Sequence, residues 1–375
     1  MNRKVGIITF HRSHNCGSML QAYALQHVVE RLGYTVEIVN FSSEGQRNLY
    51  KPFQKGIDPK TIVKNLIAAI HLRRIKNNDA HYERFLSSNF NLGPSDYSRC
   101  NDLDDAAYDA VVCGSDQIWN ITIADSDDAY FLPWVRSAKK IAYAVSFGAR
   151  NILEYSDNPQ RYADYIKSFD AVSTREYNGR VWLKELAGVD APVVLDPTLL
   201  LDENDYKTIE DTNVRFPDRY IFYYSPNYKQ DINKLVARIS EQYNLPVIGF
   251  NSKAFYVKGM DRMGFTLPPY EDPSVYLTLM RHASLIITTS FHGTIFSTMY
   301  RKPFWTIKNG DMYGTDDRVI TLMKELDLED RLIPVEFDPS RNYLEEKDYT
   351  NYETLLPELQ SASLRFLEEA LKDHE

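Results

Sequence analysis

The sequence has few cysteines and no long apolar segment. Its 375 residues include three cysteines, Cys16, Cys100 and Cys113, and no pair of them has the CxxC spacing. A sparse and odd set of this kind argues against both a disulfide framework and a structural zinc site. No apolar run is long enough to span a membrane, and the first strand starts too early to leave room for a signal peptide. We therefore expect a protein of the reducing cytoplasm.

Positive charge is also scarce, because 43 Lys and Arg stand against 52 Asp and Glu and give a formal net charge of −9. A nucleic-acid partner requires a basic surface, so we expect none. The segment 51–76 departs from this balance, since it is rich in Lys and Arg around the apolar run 66–70. It is typical of a solvated amphipathic helix or, alternatively, of a helix that contacts the inner face of a membrane. The oligomeric state is left open.

What the chain does contain is a regular alternation of strand and helix patterns, which predicts an α/β protein with parallel sheets. Short apolar runs predict strands at 5–9, 35–39, 110–113, 141–145, 171–173, 192–195, 220–224, 247–250, 284–288 and 304–307. Helical spacing predicts helices at 18–32, 160–168, 177–186, 231–243, 273–281, 293–301, 317–326 and 352–371. A break near 203–216 favours a first lobe at 1–205 and a second at 206–350. Residues 351–375 form a terminal helix that could return to the first lobe.

Ligands of doubly wound sheets bind beyond the carboxyl ends of the strands, so the loops after strands are the candidate sites. The first such loop holds His14, Asn15, Gly17 and Ser18 at a helix start, which suits an anion or a substrate. Ser18 could instead be only the helix cap. No GxGxxG or GxxxxGK[ST] motif is present, which argues against a dinucleotide or P-loop site.

The second loop, GSDQIWN, sets polar side chains beside an aromatic ring. Ser115, Asp116 and Gln117 could read sugar hydroxyls while the ring of Trp119 stacks on a sugar. The alternative is a local turn with Trp119 in the core. We therefore expect this loop and the first one to bind an acceptor sugar.

Two further loops carry groups suited to an anionic donor. Arg175 follows a strand in STRE and could clamp a carboxylate or phosphate, or could form a structural ion pair with Glu176 or a nearby acid. In TTSFHGT, His292 lies at a strand-to-helix turn, where a general acid or base is well placed, and is flanked by Ser290 and Gly293.

Six segments in order, NCGSMLQAYAL, GSDQIWN, the strand with SFG at 142–148, STRE, LDPTLLL and SFHGTIFSTMYRKPF, resemble the polysaccharide pyruvyl transferase family. The resemblance covers residues 3 to 330. It implies two Rossmann-like lobes with parallel sheets facing across a cleft, as in GT-B glycosyltransferases. It also implies transfer of pyruvate from phosphoenolpyruvate onto sugar hydroxyls as a ketal, in the synthesis of surface polysaccharides or glycans.

The family associates phosphoenolpyruvate with an arginine and a histidine that match Arg175 and His292. Many members have an arginine where this chain has Ser290, and a downstream basic residue is matched best by Lys308, with Lys302 and Arg318 as alternatives. We expect Asp116 to be the base for the attacking hydroxyl, and no cofactor or metal beside the co-substrate. The acceptor could be a free, nucleotide-linked, lipid-linked or polymeric sugar. The rival functions are a GT-B glycosyltransferase that uses a nucleotide sugar and a non-catalytic sugar- or phosphate-binding module.

Overall fold

A computed structural model describes residues 3–372 and contains two parallel five-stranded sheets. The first sheet is formed by β1 (Lys4–Ile8), β2 (Thr35–Ile38), β3 (Ala110–Asp116), β4 (Lys139–Val145) and β5 (Ala171–Thr174). The second is formed by β6 (Ile221–Tyr224), β7 (Val247–Gly249), β8 (Leu285–Thr288), β9 (Phe304–Ile307) and β10 (Leu332–Ile333). Their strand orders are β2-β1-β3-β4-β5 and β10-β9-β8-β6-β7. The predicted architecture of two Rossmann-like, GT-B-like lobes is confirmed.

Helices follow most of the strands and cover the sheets. In the first lobe they are α1 (Cys16–Arg31), α2 (Glu44–Tyr50), α3 (Pro59–Ile70), α4 (Leu72–Asn89), α5 (Ile152–Tyr155), α6 (Pro159–Lys167), α7 (Tyr177–Ala187) and α8 (Glu203–Lys207). Beyond it are α9 (Gln230–Tyr243), α10 (Ser252–Val257), α11 (Pro273–His282), α12 (Phe291–Met299), α13 (Arg318–Glu325) and α14 (Thr350–Leu371). No helix within residues 3–372 is long and apolar enough to cross a bilayer.

One predicted strand is absent, and two predicted helix starts are shifted. Residues 192–195 do not form a strand, because Val193 makes only one bridge, to Thr174, and Pro192 has no N–H to donate to a ladder. Helix α1 begins two residues earlier than predicted, at Cys16, and α12 begins at Phe291, so that His292 lies within the first helical turn. The predicted break at 203–216 is partly helical, since it contains α8.

One hydrophobic cluster is shared by the two lobes, and each lobe has a further cluster of its own on the other face of its sheet. A single cluster of buried side chains extends from α1 through residues 194–206 to α11 and α12. The last helix, α14, packs on β4 of the first lobe, and the backbone carbonyl of Leu371 accepts a 2.6 Å hydrogen bond from Arg3. Ser363 of α14 accepts a 3.0 Å hydrogen bond from the backbone N–H of Leu195. The carboxyl edges of the two sheets are thereby held against each other.

Candidate functional site

Each sheet has a point at which consecutive strands diverge to opposite sides, and ligands of such sheets bind there. In the first sheet it lies between β1 and β3. Ser18, in the first turn of α1, donates a 2.5 Å hydrogen bond to Asp116 at the end of β3 and so closes the gap. Asp116 has a φ of 72°, the left-handed region that non-glycine residues rarely occupy, and such strain concentrates at functional sites. The second sheet diverges between β6 and β8, just before α12.

Arg175, directly after β5, is held between two carboxylates. One terminal nitrogen lies 2.7 Å from an oxygen of Asp196 and the other lies 3.1 Å from an oxygen of Asp116. The ring of Phe291, from the second lobe, lies 4.4 Å from the guanidinium carbon. The side chain is only 2% exposed, so in this structure Arg175 forms the ion pairs that the sequence offered as the alternative to a donor clamp.

His292 reaches this cluster from the second lobe. Its Nε2 atom lies 3.6 Å from Asp196 Oδ2, too far for a hydrogen bond, and that nitrogen has no hydrogen-bond partner within residues 3–372. Its ring lies against Gly17, where a Cβ atom would be 2.3 Å from Nδ1. Only glycine at position 17 allows the lobes to approach this closely. An imidazole with one free nitrogen beside a buried carboxylate is suited to accept and donate a proton.

The charges in the cluster keep both aspartates ionised. Burial raises the pKa of Asp196, but the charges of His292 and Arg175 and a hydrogen bond from Thr198 outweigh it and hold that pKa well below its usual range. Burial likewise opposes ionisation of Asp116, but Arg175, His292 and the Ser18 hydroxyl lower its pKa. Two carboxylates therefore face one guanidinium and one imidazole in a site that is almost closed to solvent.

A third carboxyl beside the cluster, that of Glu176, has a raised rather than a lowered pKa. Glu176 is 1% exposed, accepts a 3.0 Å hydrogen bond from the backbone N–H of Phe147, and lies 3.8 Å from Nε of Arg175. Burial outweighs the attraction of Arg175 and raises the pKa of Glu176 to about 7. This carboxyl titrates near neutral pH and changes the charge beside Arg175 when it does.

Glu176→Gln is expected to remove a pH dependence of stability. Because the folded-state pKa of Glu176 exceeds the unfolded one, this carboxyl contributes most to stability below pH ~4.5, and its contribution of about 3 kcal/mol is lost as pH rises through 7. Urea unfolding from pH 5 to pH 8 should show this loss in the wild type and a smaller one in the variant. Parallel pH profiles for the two proteins would contradict the raised pKa.

The side chains predicted to bind an acceptor do not all reach the cleft. Asn15 caps α1, accepting hydrogen bonds from the N–H groups of Gly17 and Ser18, so Ser18 is not the cap. The hydroxyl of Ser115 donates to the backbone carbonyl of Ala144 and to the carboxylate of Asp196, so this side chain positions Asp196 and does not face the cleft. Trp119 is 0% exposed, and its indole stacks on Phe131 and donates to the carbonyl of Tyr130. It therefore packs in the core, as the alternative interpretation had it, and offers no platform to a sugar.

Two predicted acceptor residues do lie at the lobe junction. Gln117 accepts hydrogen bonds from Asn120 and, across the lobes, from Arg318 at 3.4 Å. His14 lines an interlobe cavity of about 730 Å³, stacks on Tyr82 with ring centroids 4.8 Å apart, and lies 3.1 Å from Asp79. Burial lowers the pKa of His14, but hydrogen bonds to Asp79 and Glu83 outweigh it and the net change is upward.

This cavity combines aromatic rings, amides and cations. Beside His14 its wall includes Tyr50, Asn227, Lys229, Asn251, Lys253 and Tyr256. Aromatic rings stack on the C–H face of a sugar and amides pair with its hydroxyls, while the lysines suit an attached anionic group. The cavity, rather than the loop around Trp119, is the part of the junction with room for a sugar.

The predicted donor residues lie at the carboxyl edge of the second sheet. Ser290 caps α12 by accepting from the N–H of Gly293, and Gly293 packs so closely on Thr288 that a Cβ would be 2.1 Å from its hydroxyl. Lys308 follows β9 and its ammonium lies 4.7 Å from the ring centroid of Tyr313. Within residues 3–372 its ammonium has no carboxylate within 4.0 Å, and the same holds for Lys229, which follows β6.

The family model for "Polysaccharide pyruvyl transferase" matches residues 15–311, which include every residue of this cluster. The chain belongs to this family. No curated protein matches the sequence at a significant level. The matched range contains the motifs that contribute Ser18, Asp116, Arg175, Asp196 and His292, and the structure brings these motifs together at one place.

Solved structures of other two-lobed proteins are similar to this polysaccharide pyruvyl transferase family member at low identity. UDP-GlcNAc 2-epimerase from Methanocaldococcus jannaschii has a TM-score of 0.49 and 11% identity over 95% of this chain and 93% of that chain. The Neisseria meningitidis enzyme bound to UDP-GlcNAc has a TM-score of 0.49 and 10% identity over 98% and 100%. Heptosyltransferase WaaC of E. coli has a TM-score of 0.39 and 10% identity over 95% and 99%. Such identities assign no substrate to this chain.

Sequence reasoning missed Asp196 as a member of the site. The segment LDPTLLL contributed to the family resemblance without a role for any of its residues, yet Asp196 links Arg175, Ser115 and His292. Its signal was a lone carboxylate between the apolar runs 193–195 and 199–201, where burial without a partner would be costly. Among residues 3–372, no group of three or more His, Cys, Asp or Glu side chains is arranged to hold a metal ion.

Proposed function

We propose that this pyruvyl transferase family member moves pyruvate from phosphoenolpyruvate onto two hydroxyls of a sugar and forms a cyclic ketal. The observation that carries the proposal is the interlobe cluster, in which His292 of one lobe faces the Asp116–Arg175–Asp196 network of the other with a free ring nitrogen. Family membership supports the reaction class and implies a sugar or polysaccharide acceptor.

The reaction needs a proton donor, a proton acceptor and cations for the donor. The methylene carbon of phosphoenolpyruvate takes up a proton, and one acceptor hydroxyl oxygen bonds to the central carbon. The bond from that carbon to the phosphate oxygen breaks, and the second hydroxyl oxygen takes its place. Of the two hydroxyl protons, one balances the proton gained by carbon and the other leaves on the phosphate.

We assign His292 as the general acid that protonates the carbon or the departing phosphate, since its Nε2 is unoccupied. Asp116 is the proposed base for the attacking hydroxyl, because its carboxylate is held ionised and lies at the point where the first sheet diverges. Arg175 has both terminal nitrogens on carboxylates, so we assign it first as a positioning residue for Asp116 and Asp196. A contact between Arg175 and phosphoenolpyruvate stays a prediction.

Lys308 and Lys229 are the cations proposed for the donor phosphate. Both follow strands of the second sheet. The ammonium of Lys229 lies close to Gly310, two residues after Lys308, because a Cβ atom placed on Gly310 would be 2.7 Å from Nζ of Lys229. Neither ammonium is paired with a carboxylate of the described residues, so neither has to give up an ion pair to receive an anion. The cavity around His14 is the proposed acceptor site.

Phosphoenolpyruvate is expected to raise the thermal unfolding temperature of the protein, and Lys308→Ala should weaken this effect. A ligand at about 100 times its Kd adds about 2.7 kcal/mol to stability. Thermal unfolding with phosphoenolpyruvate, UDP, GDP and UDP-sugars measures it. Lys324→Ala is the matched control, because Lys324 is an exposed lysine at the end of α13.

Stabilisation by nucleotides alone would contradict pyruvyl transfer and favour glycosyl transfer from a nucleotide sugar. Stabilisation by phosphoenolpyruvate that Lys308→Ala and Lys324→Ala leave equally intact would contradict the assignment of Lys308 but not the reaction. A cytoplasmic location at the inner face of a membrane also stays a prediction.

A further inference from the structure

Helix α3 presents an apolar face to solvent. Ile62, Leu66 and Ile70 recur at every fourth position and so lie on one side of the helix, beside Val63. Their exposed fractions are 48%, 61%, 78% and 53% in the order Ile62, Leu66, Ile70, Val63, and Ile57, just before the helix, is 94% exposed. Side chains of this kind normally lie in a core, so a contiguous exposed set marks an interaction surface.

The exposure is concentrated in this one part of the chain. Of the twelve large hydrophobic side chains that are exposed within residues 3–372, seven lie between positions 49 and 70. The other five are scattered over α5, α7 and the segment after β9. The stripe of Ile62, Val63, Leu66 and Ile70, with Ile57 just before it, is referred to below as the α3 face, whereas Leu49 lines the interlobe cavity.

The α3 face is held outward by contacts on the opposite side of the helix. Ala68 is buried against the rest of the protein, and Asp58 and Pro59 start the helix, with the Asp58 side chain accepting from the N–H of Thr61. The amide of Asn65 makes two 2.9 Å hydrogen bonds with the backbone of Gln54. The helix is therefore attached to the protein through its inner side, and the apolar side chains on its outer side remain exposed to solvent.

The segment that carries the α3 face is basic. Exposed basic residues along it are Lys55, Lys60, Arg73 and Lys76, whereas Lys51 and Lys64 line the interlobe cavity. Asp58 is the only acidic residue between positions 51 and 76, whereas the whole chain has a net charge of −9. An apolar stripe in a segment rich in Lys and Arg is typical of a helix that lies in the interface of an anionic membrane.

We propose that the α3 face docks on the surface of a bilayer that contains anionic phospholipids. Charge favours this occupant over a second copy of the chain, because a symmetric contact would bring the same lysines of both copies together. Docking has a further consequence that rests on the proposed function. Lys64, Ile67 and His71, on the inner side of the same segment, line the interlobe cavity, so a membrane-anchored acceptor sugar would meet the cavity close to the lipid surface.

Vesicle flotation tests the proposal with the full chain. The wild type is expected to float with vesicles of phosphatidylglycerol and phosphatidylcholine at low salt, to float weakly with phosphatidylcholine alone, and to be released by high salt. The double variant Leu66→Glu, Ile70→Glu should bind anionic vesicles at least ~10-fold more weakly, since it places charge where apolar side chains enter the interface. The control is Leu153→Glu with Val181→Glu, which adds the same charges at exposed hydrophobic positions elsewhere.

Circular dichroism and thermal unfolding are used to check that both double variants are folded. The proposal is overturned if the wild type does not float with anionic vesicles, or if the α3 variant floats as well as the control. It is also overturned if light scattering shows a wild-type dimer that the α3 variant alone converts to monomer, which would assign the face to a second copy. Flotation requires neither phosphoenolpyruvate nor an acceptor, so its failure is separate from failure of pyruvyl transfer.

Discussion

Replacing His292 with glutamine is expected to lower kcat for pyruvyl transfer by about 10²–10⁴-fold, the range for loss of a general acid or base. Glutamine fills a similar volume and can hydrogen bond, but it does not exchange a proton near neutral pH. The ring of His292 packs on Gly17 and its Nε2 faces Asp196 without a hydrogen-bond partner among residues 3–372. The expected loss therefore belongs to proton transfer rather than to the fold.

The measurement is release of phosphate from phosphoenolpyruvate in the presence of an acceptor, together with the Kd for phosphoenolpyruvate from thermal unfolding. Kd should change by less than about threefold, because His292 is one of several groups proposed to contact the donor, with Lys308 and Lys229 as the proposed phosphate ligands. His27→Gln is the control, since His27 lies on the surface of α1 in an ion pair with Glu30. Unchanged turnover in His292→Gln would contradict the assignment of His292 as the general acid.

Arg175→Met is expected to destabilise the fold by about 3–5 kcal/mol at pH 8, the cost of removing one partner from a buried ion pair. Methionine keeps much of the apolar stem but removes the guanidinium that Asp116 and Asp196 share and leaves His292 as the remaining cationic partner of the two carboxylates. Both carboxylates are almost fully buried, so water cannot replace the lost partner. Activity should fall as well, because Asp116 and Asp196 lose their common support.

The destabilisation should shrink as pH falls. In the wild type the depressed pKa values of Asp116 and Asp196 contribute stability above the unfolded-state pKa near 3.9, and this is lost only as pH falls through the lower folded-state values. In the variant those pKa values rise, so protonation from pH 8 to pH 5 relieves the cost. Urea unfolding at both pH values measures the difference between the two proteins.

Arg180→Met is the matched control for this experiment. Arg180 also pairs with an aspartate, Asp190 at 3.0 Å, but both side chains are at least half exposed. Exposed pairs contribute about 0–1 kcal/mol, so the control should be nearly neutral at either pH. Equal losses for Arg175→Met and Arg180→Met would contradict a special role for the buried network.

The fold was predictable because its signals are local. Nine of the ten strands are short apolar runs that the pattern predicted, and the parallel sheets followed from their alternation with helices, whereas the two-residue β10 (Leu332–Ile333) was not predicted. The failures occurred where a contact decides the outcome. Pro192 and the turn into Pro197–Leu200 prevented a strand at 192–195, although its residues are apolar β-formers.

The site was predictable only as far as the edge of each sheet. Asp116, Arg175 and His292 follow strands, which indicated that they would meet. The ion pairs of Arg175 with Asp116 and Asp196 could not be predicted from the sequence, because they depend on distances between separate loops. Nor could the sequence indicate which side Trp119 faces, since an aromatic beside polar residues suits a sugar platform and a core equally well.

In the segment 51–76, too, the sequence pattern predicted the helix but not the direction in which its apolar side faces. Its spacing predicted an amphipathic helix, and α3 is one. Whether its apolar side faces solvent or the protein depends on how the inner side is anchored, through residues such as Ala68 and Asn65. The pattern alone therefore left the solvated and membrane-facing alternatives open, and the exposed fractions of Leu66 and Ile70 give the reason to test the second.

The position of α14 has a consequence for how the protein is made. This helix covers part of β4 in the first lobe, and Leu367 and Leu371 are fully buried there, although the strands they protect were synthesised more than 200 residues earlier. A ribosome adds residues far more slowly than helices and strands form, so the first lobe emerges with that patch bare. Until α14 leaves the exit tunnel, the nascent chain carries an uncovered apolar surface that is open to aggregation or to binding by a chaperone.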